Sequence, residues 1–235
     1  MTPPHITTLP LGRTTYTDAL AIQRRIHERR KAADCGDALI LTEHEPVLTL
    51  GRGADRQHIR ADAATLARRG IEVVPVERGG DVTYHGPGQL VAYPILDLTA
   101  YGRDIRAYVR ALEESAIRLL AGYGVSGERH AGTPGVWVGE AKIASVGVFI
   151  SRWVTLHGIA INIDPDLSHF DLIDPCGLVG MRMTSLTEIL GRNVTTSEAE
   201  EQYVEVFRAV MAVVAAHRTQ PKGVTGPQNP SVPRR

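Results

Sequence analysis

Apolar positions along this chain switch repeatedly between helical and strand-like spacing. Over residues 15–33, Ala19, Ile22 and Ile26 recur on one side, flanked by Arg24, Arg25, Arg29 and Arg30, which predicts a surface helix. Residues 37–42 and 47–50 read as short strands around a Glu-His-Glu-Pro turn, 60–69 as a helix ended by Gly70, and 71–76 as a strand. A strand over 90–96 precedes a helix carrying Ile105, Val109, Leu112, Ala116 and Leu119, which stops near Gly122. Val, Ile, Thr and Trp then dominate, predicting strands over 136–138, 142–151 and 153–163. A looser stretch, 164–183, leads to a last helix over 198–216, opened by Ser197 and Glu200 as a capping box and faced by Tyr203, Val206, Val210 and Val213.

With neither a repeat nor a linker in this pattern, residues 1–217 are expected to form one α+β domain, a mixed sheet flanked by helices. The remainder, 218–235, has too few apolar residues to bury and is expected to be disordered.

Composition narrows the functional classes. Lys+Arg and Asp+Glu are equal at 26 each, so no global field draws nucleic acid or an anionic membrane to the surface. No apolar run approaches the ~20 residues of a membrane span, and the first residues lack a secretory pattern, so a cytoplasmic location is expected. Cys35 and Cys176 are too few and too distant for a disulfide framework and read as free thiols. Only three of the 26 basic residues are lysines, at 31, 142 and 222. In a chain that otherwise uses arginine, Lys142 inside an apolar run suggests a need for a compact ammonium of adjustable pKa, against the alternative of a strand-edge charge.

Several motifs fail on context. Gly122, Gly124 and Gly127 have dinucleotide spacing but follow a helix, no lysine follows a glycine as a P-loop requires, and the histidines lack metal-ligand spacing; neither a metal nor a cofactor is expected. Others survive. Cys176 lies in Asp-Pro-Cys-Gly, either a buried structural cysteine or a thiol held rigidly enough to react. Residues 78–89, RGGDVTYHGPGQ, combine four glycines with Arg78, Tyr84, His85 and Gln89, a composition suited to ligand contact as well as to a tight connection. His157, alternating with apolar neighbours, reads as a satisfied core residue, and Cys35 as structural.

Taken together, the string from Arg78 to Leu90, Pro46-x-x-x-x-Gly51-Arg52, Gly135-Val-Trp137, Lys142-Ile-Ala144, Leu156-His-Gly158 and Pro175-Cys-Gly177 resemble the octanoyl-[acyl-carrier-protein]:protein N-octanoyltransferases, the lipoate-protein ligase B family, over about residues 10–216. The resemblance implies the fold of biotin and lipoate protein ligases and an acyl transfer. An octanoyl group would pass from octanoyl-acyl carrier protein to a lysine of lipoyl domains, those of 2-oxoacid dehydrogenase E2 subunits and the glycine cleavage H protein. By the same resemblance Cys176 is the nucleophile that carries the acyl group as a thioester, and Lys142 lowers its pKa. The acyl-binding residues it implies are Arg78, Gly79, Gly80, Asp81, Val82, Thr83, Tyr84 and His85, then Ser145, Val146 and Gly147, then Gly158, Ile159 and Ala160. The rival reading is an ATP-dependent lipoate or biotin ligase on the same fold, which would not depend on the cysteine.

Overall fold

The computed structural model describes residues 4–175 and 180–217. Its elements in chain order are β1 (Ile6–Thr14), α1 (Tyr16–Lys31), β2 (Asp37–His44), β3 (Val47–Leu50), α2 (Ala63–Arg68), β4 (Glu72–Pro75), β5 (Val82–His85), β6 (Gln89–Ile95), α3 (Ile105–Gly122), β7 (Glu128–His130), β8 (Thr133–Val138), β9 (Ala141–Ser151), β10 (Val154–Asn162), α4 (Leu186–Leu190) and α5 (Thr196–His217). Seven strands form one mixed sheet in the order β1-β2-β6-β10-β9-β8-β7, with only β1 and β2 parallel; β4-β3-β5 form a second sheet. The α+β class with a mixed sheet between helices is as expected from the sequence.

Alternation along the central strands gives the large sheet two apolar faces. Leu39, Leu41, Leu90, Ala92, Ile159 and Ile161 face α3 and α5, where Leu112, Leu119, Tyr203 and Phe207 complete the main core. The opposite neighbours, Ile40, Val91, Tyr93, Leu156 and Ala160, pack toward α1. The second sheet has its own core around Leu48, Val82 and Tyr84, and meets α1 through Tyr16, Leu20, Val47 and Val76. Among the described residues, no helix is long and apolar enough to cross a membrane.

Two local readings change. Residues 6–14 form a strand although their pattern is irregular, because β1 pairs with β2 through a bulge between Pro10 and Arg13. The glycine-rich 78–89 stretch is regular only at its centre, as its composition suggests, where β5 pairs with β3. The last helix is capped by Thr195, whose Oγ1 accepts from the Glu198 amide at 3.2 Å, two residues ahead of the expected box; its buried face is Ala199, Tyr203, Phe207, Val210 and Met211, leaving Val213 exposed.

Candidate active site

A largely apolar cavity of about 230 Å³ lies on the α1 side of the large sheet, between β6, β10 and β9 and the segment leading into β5. Its lining includes every binding residue expected from the sequence except Tyr84. Because β5 alternates, Tyr84 points instead into the small core, against Phe170, with its hydroxyl 2.8 Å from His169 Nδ1. Burial there pushes its pKa up to about 12.

Close backbone approach builds the wall over β9. The Gly79 amide donates to the Val148 carbonyl at 2.9 Å, and Arg78, nearly buried, donates from Nη2 to Thr49 O and Oγ1, each at 2.7 Å. Arg78 therefore fastens the 78–81 segment to β3. From the other side Asp81 ties the segment to the stretch that follows β3, accepting from the Asp55 amide and pairing with His58. A β-carbon at Gly147 would stand 2.9 Å from Arg78 Cδ, so glycine there lets the wall settle on the strand.

Lys142 lines one end, with Pro134 and Pro175. It is 4% exposed, its backbone is tied to Arg182 O and the Thr184 amide, and its Nζ stands 4.8 Å from the Trp137 ring centroid, a cation–π contact. Gly135 beside it donates its amide to Glu113 Oε1 at 3.0 Å, and Glu113 in turn pairs with Arg129. Cys176, the expected nucleophile, lies outside the described residues, as does the 218–235 tail.

The other end is aromatic and polar. Tyr16, Tyr93, His85 and His157 line it, and His44 stands behind them with Nε2 2.7 Å from the Tyr93 hydroxyl. Burial first, then the neighbouring His44 and Arg78, hold His85 well below the usual histidine range; burial lowers His44 to about 4, so both are neutral rings near pH 7. His157 has φ of +60°, costing about 1–3 kcal/mol for a non-glycine residue. Plain alternation would send it with Ile159 into the main core. The left-handed conformation turns it to the α1 side, where the Gln23 side chain accepts from its amide at 3.2 Å and Nδ1 lies 3.4 Å from the Tyr16 hydroxyl. Its Nε2 is 3.6 Å from Glu77 Oε2 and has no hydrogen-bond partner, so the satisfied core histidine expected from the sequence is instead a strained cavity residue. His157 and then Arg24, working against burial, hold the Glu77 carboxyl below its usual range.

The sequence reading missed Tyr16, Tyr93 and Pro134 as lining residues. Tyr93 had a visible cue, a tyrosine at the period-two position after Val91 in an otherwise aliphatic strand. Tyr16, at the first turn of a polar helix, had none. Among the described residues, no group of three or more His, Cys, Asp or Glu side chains is arranged to hold a metal ion.

Comparison with known proteins gives this site a context. The model of the lipoyl protein ligase A/B catalytic domain matches residues 15–208. An octanoyltransferase of Chloroflexus aurantiacus is 51% identical over 206 residues, covering 86% of this chain and 92% of the relative. Among solved structures, a lipoate-protein ligase A bound with ATP superposes with a TM-score of 0.71 at 16% identity, covering 90% of this chain and 92% of that one. A bi-partite lipoate protein ligase from Thermoplasma acidophilum, solved in a study of its lipoylation system with an E2 lipoyl domain, gives 0.69 at 16%, covering 91% and 92%. At such identities the structural likeness speaks for the fold.

Proposed function

The chain belongs to the lipoyl protein ligase A/B catalytic family, as an octanoyltransferase acting in lipoylation, and we propose the route its acyl group takes: from the thioester of octanoyl-acyl carrier protein, through Cys176, to a lysine of a lipoyl domain. The acceptors are the lipoyl domains of 2-oxoacid dehydrogenase E2 subunits and the glycine cleavage H protein, and the site of action is the cytoplasm, where thiols stay reduced. Supporting this route is one observation: Lys142 and Pro175, the chain neighbour of Cys176, line the same cavity as the segments 78–83, 145–147 and 158–160.

In this reading the Lys142 ammonium keeps Cys176 as a thiolate. The thiolate attacks the thioester carbonyl; a new C–S bond forms, the bond to the carrier's thiol breaks, and the departing sulfur takes a proton from Lys142. The acceptor amine then attacks the acyl-cysteine, an amide forms, the Cys176 sulfur leaves as thiolate, and the amine's proton returns to Lys142. Charge on the carbonyl oxygen is met by backbone amides of the 145–147 segment. The donor thioester already holds the activation energy, so ATP has no place in the sequence of steps.

Intact-protein mass spectrometry after mixing with octanoyl-acyl carrier protein without ATP tests the route. An octanoyl adduct is expected on the unaltered protein, absent from Cys176→Ser, slowed in Lys142→Ala and discharged by an apo lipoyl domain. A transfer that requires ATP and survives Cys176→Ser would establish the adenylating ligase instead.

A further inference from the structure

The floor of the cavity is made of small side chains until it reaches one large one. Ser145 pairs with Ala160 and Ala160 with Val91, forming a first rank across three strands. Gly147 pairs with Gly158 two residues further along β9, and since Ala92 pairs with Ile159, the residue beside Gly158 on β6 is Tyr93. The second rank is thus open at two positions and closed at the third.

We infer that Tyr93, braced from behind by His44, is the residue that sets the length of acyl chain this enzyme accepts. The inference rests on the acyl-transfer reading above. The carbons C2 to C8 of an octanoyl group span six bonds, the number in two residues of extended backbone, or about 7 Å. A chain whose C2 lies over the Ser145 rank, on the Lys142 side, therefore ends at the rank of Tyr93. There the ring is held on more than one side: its hydroxyl on His44 Nε2, its centroid 5.8 Å from that of the His44 ring and 6.4 Å from that of His157. His44 is fully buried and lies outside the cavity lining, so Tyr93 stands as the partition between the acyl slot and a packed polar compartment. Tyr16, stacked on His85 at 6.1 Å and 5.1 Å from His44, fills the adjacent corner. A longer chain must displace this assembly.

The test is a competition among hexanoyl, octanoyl, decanoyl and dodecanoyl carrier proteins at equal concentration for limiting apo lipoyl domain, read as product masses. Product ratios are independent of how much of a variant folds. Octanoyl product should dominate with the unaltered enzyme. Tyr93→Leu should raise the decanoyl-to-octanoyl ratio roughly tenfold, the gain from two further buried methylenes at about 0.8 kcal/mol each. His44→Ala, which lets the ring retreat without touching the chain, should move the ratio the same way by less. Unchanged ratios in both variants would overturn the inference while leaving the transfer reading intact. Failure of the unaltered enzyme to transfer any acyl group would overturn that reading and the inference with it.

Discussion

Gly135 packs directly against Lys142: a β-carbon there would stand 2.6 Å from Lys142 Cε and 2.4 Å from the Ala144 carbonyl oxygen, at a φ of +139°. The lysine is confined by Gly135 on one side and the Trp137 ring on another. Gly135→Ala should therefore move the ammonium, and since a displacement of an ångström at a reacting group costs about 100-fold in rate, single-turnover acyl transfer should fall by about that factor. A variant folded by circular dichroism with an unchanged single-turnover rate would show that Lys142 is not held by this contact.

The acid side of the stability profile should carry the imprint of His44. Its folded pKa of about 4 lies below the ordinary value of 6.5, so between these limits the unfolded chain binds the extra proton. Stability from its neutral burial is complete above pH 6.5 and falls as pH drops, by up to about 1.4 kcal/mol per pH unit, levelling off below about pH 4. Urea unfolding at pH 7 and pH 5 should show a smaller loss for His44→Gln than for the unaltered protein. Equal losses would mean that this histidine is protonated in the native state.

Much of the frame was legible because β2, β6 and β10 are buried on both faces and read as short, largely apolar runs rich in Leu, Ile, Val and Ala. What escaped depended on partners distant in sequence. Nothing local in 6–14 announces a strand that exists by pairing with β2. Alternation with apolar neighbours made His157 read as a satisfied core residue, whereas its left-handed conformation turns it toward Tyr16 and Glu77. Glycine spacing drew attention to 78–89 as a ligand loop, but could not show that Arg78 is spent on Thr49 or that Tyr84 turns away. Lysine usage, by contrast, drew attention to Lys142, which the fold buries at one end of the cavity.

The start of α5 separates two candidate caps by experiment. Thr195 accepts from the Glu198 amide, while Ser197 lies inside the helix. Thr195→Ala should cost about 1 kcal/mol, lowering Tm by about 2–4 °C, and Ser197→Ala should be near neutral. The reverse order in a thermal melt would restore the capping box read from sequence.

Gly147 and Gly158 face each other across β9 and β10, yet they should respond differently to the same added methyl group. At Gly158 a β-carbon would lie 2.1 Å from the Ala92 carbonyl oxygen and 2.8 Å from Pro94 Cδ, both fixed parts of the neighbouring strand. The sheet must yield there, at a cost of about 3 kcal/mol, which corresponds to a Tm lower by about 6–12 °C. At Gly147 the nearest atom is Arg78 Cδ at 2.9 Å, with the Gly79 carbonyl at 3.2 Å. These belong to the cavity wall, and an aliphatic stem can shift where a sheet carbonyl cannot. Gly147→Ala should consequently leave Tm within about 3 °C, the shift expected from about 1 kcal/mol, and raise KM for the octanoyl donor. A large loss of stability at Gly147 with unchanged KM would mean that Arg78 anchors the fold rather than shaping the acyl slot.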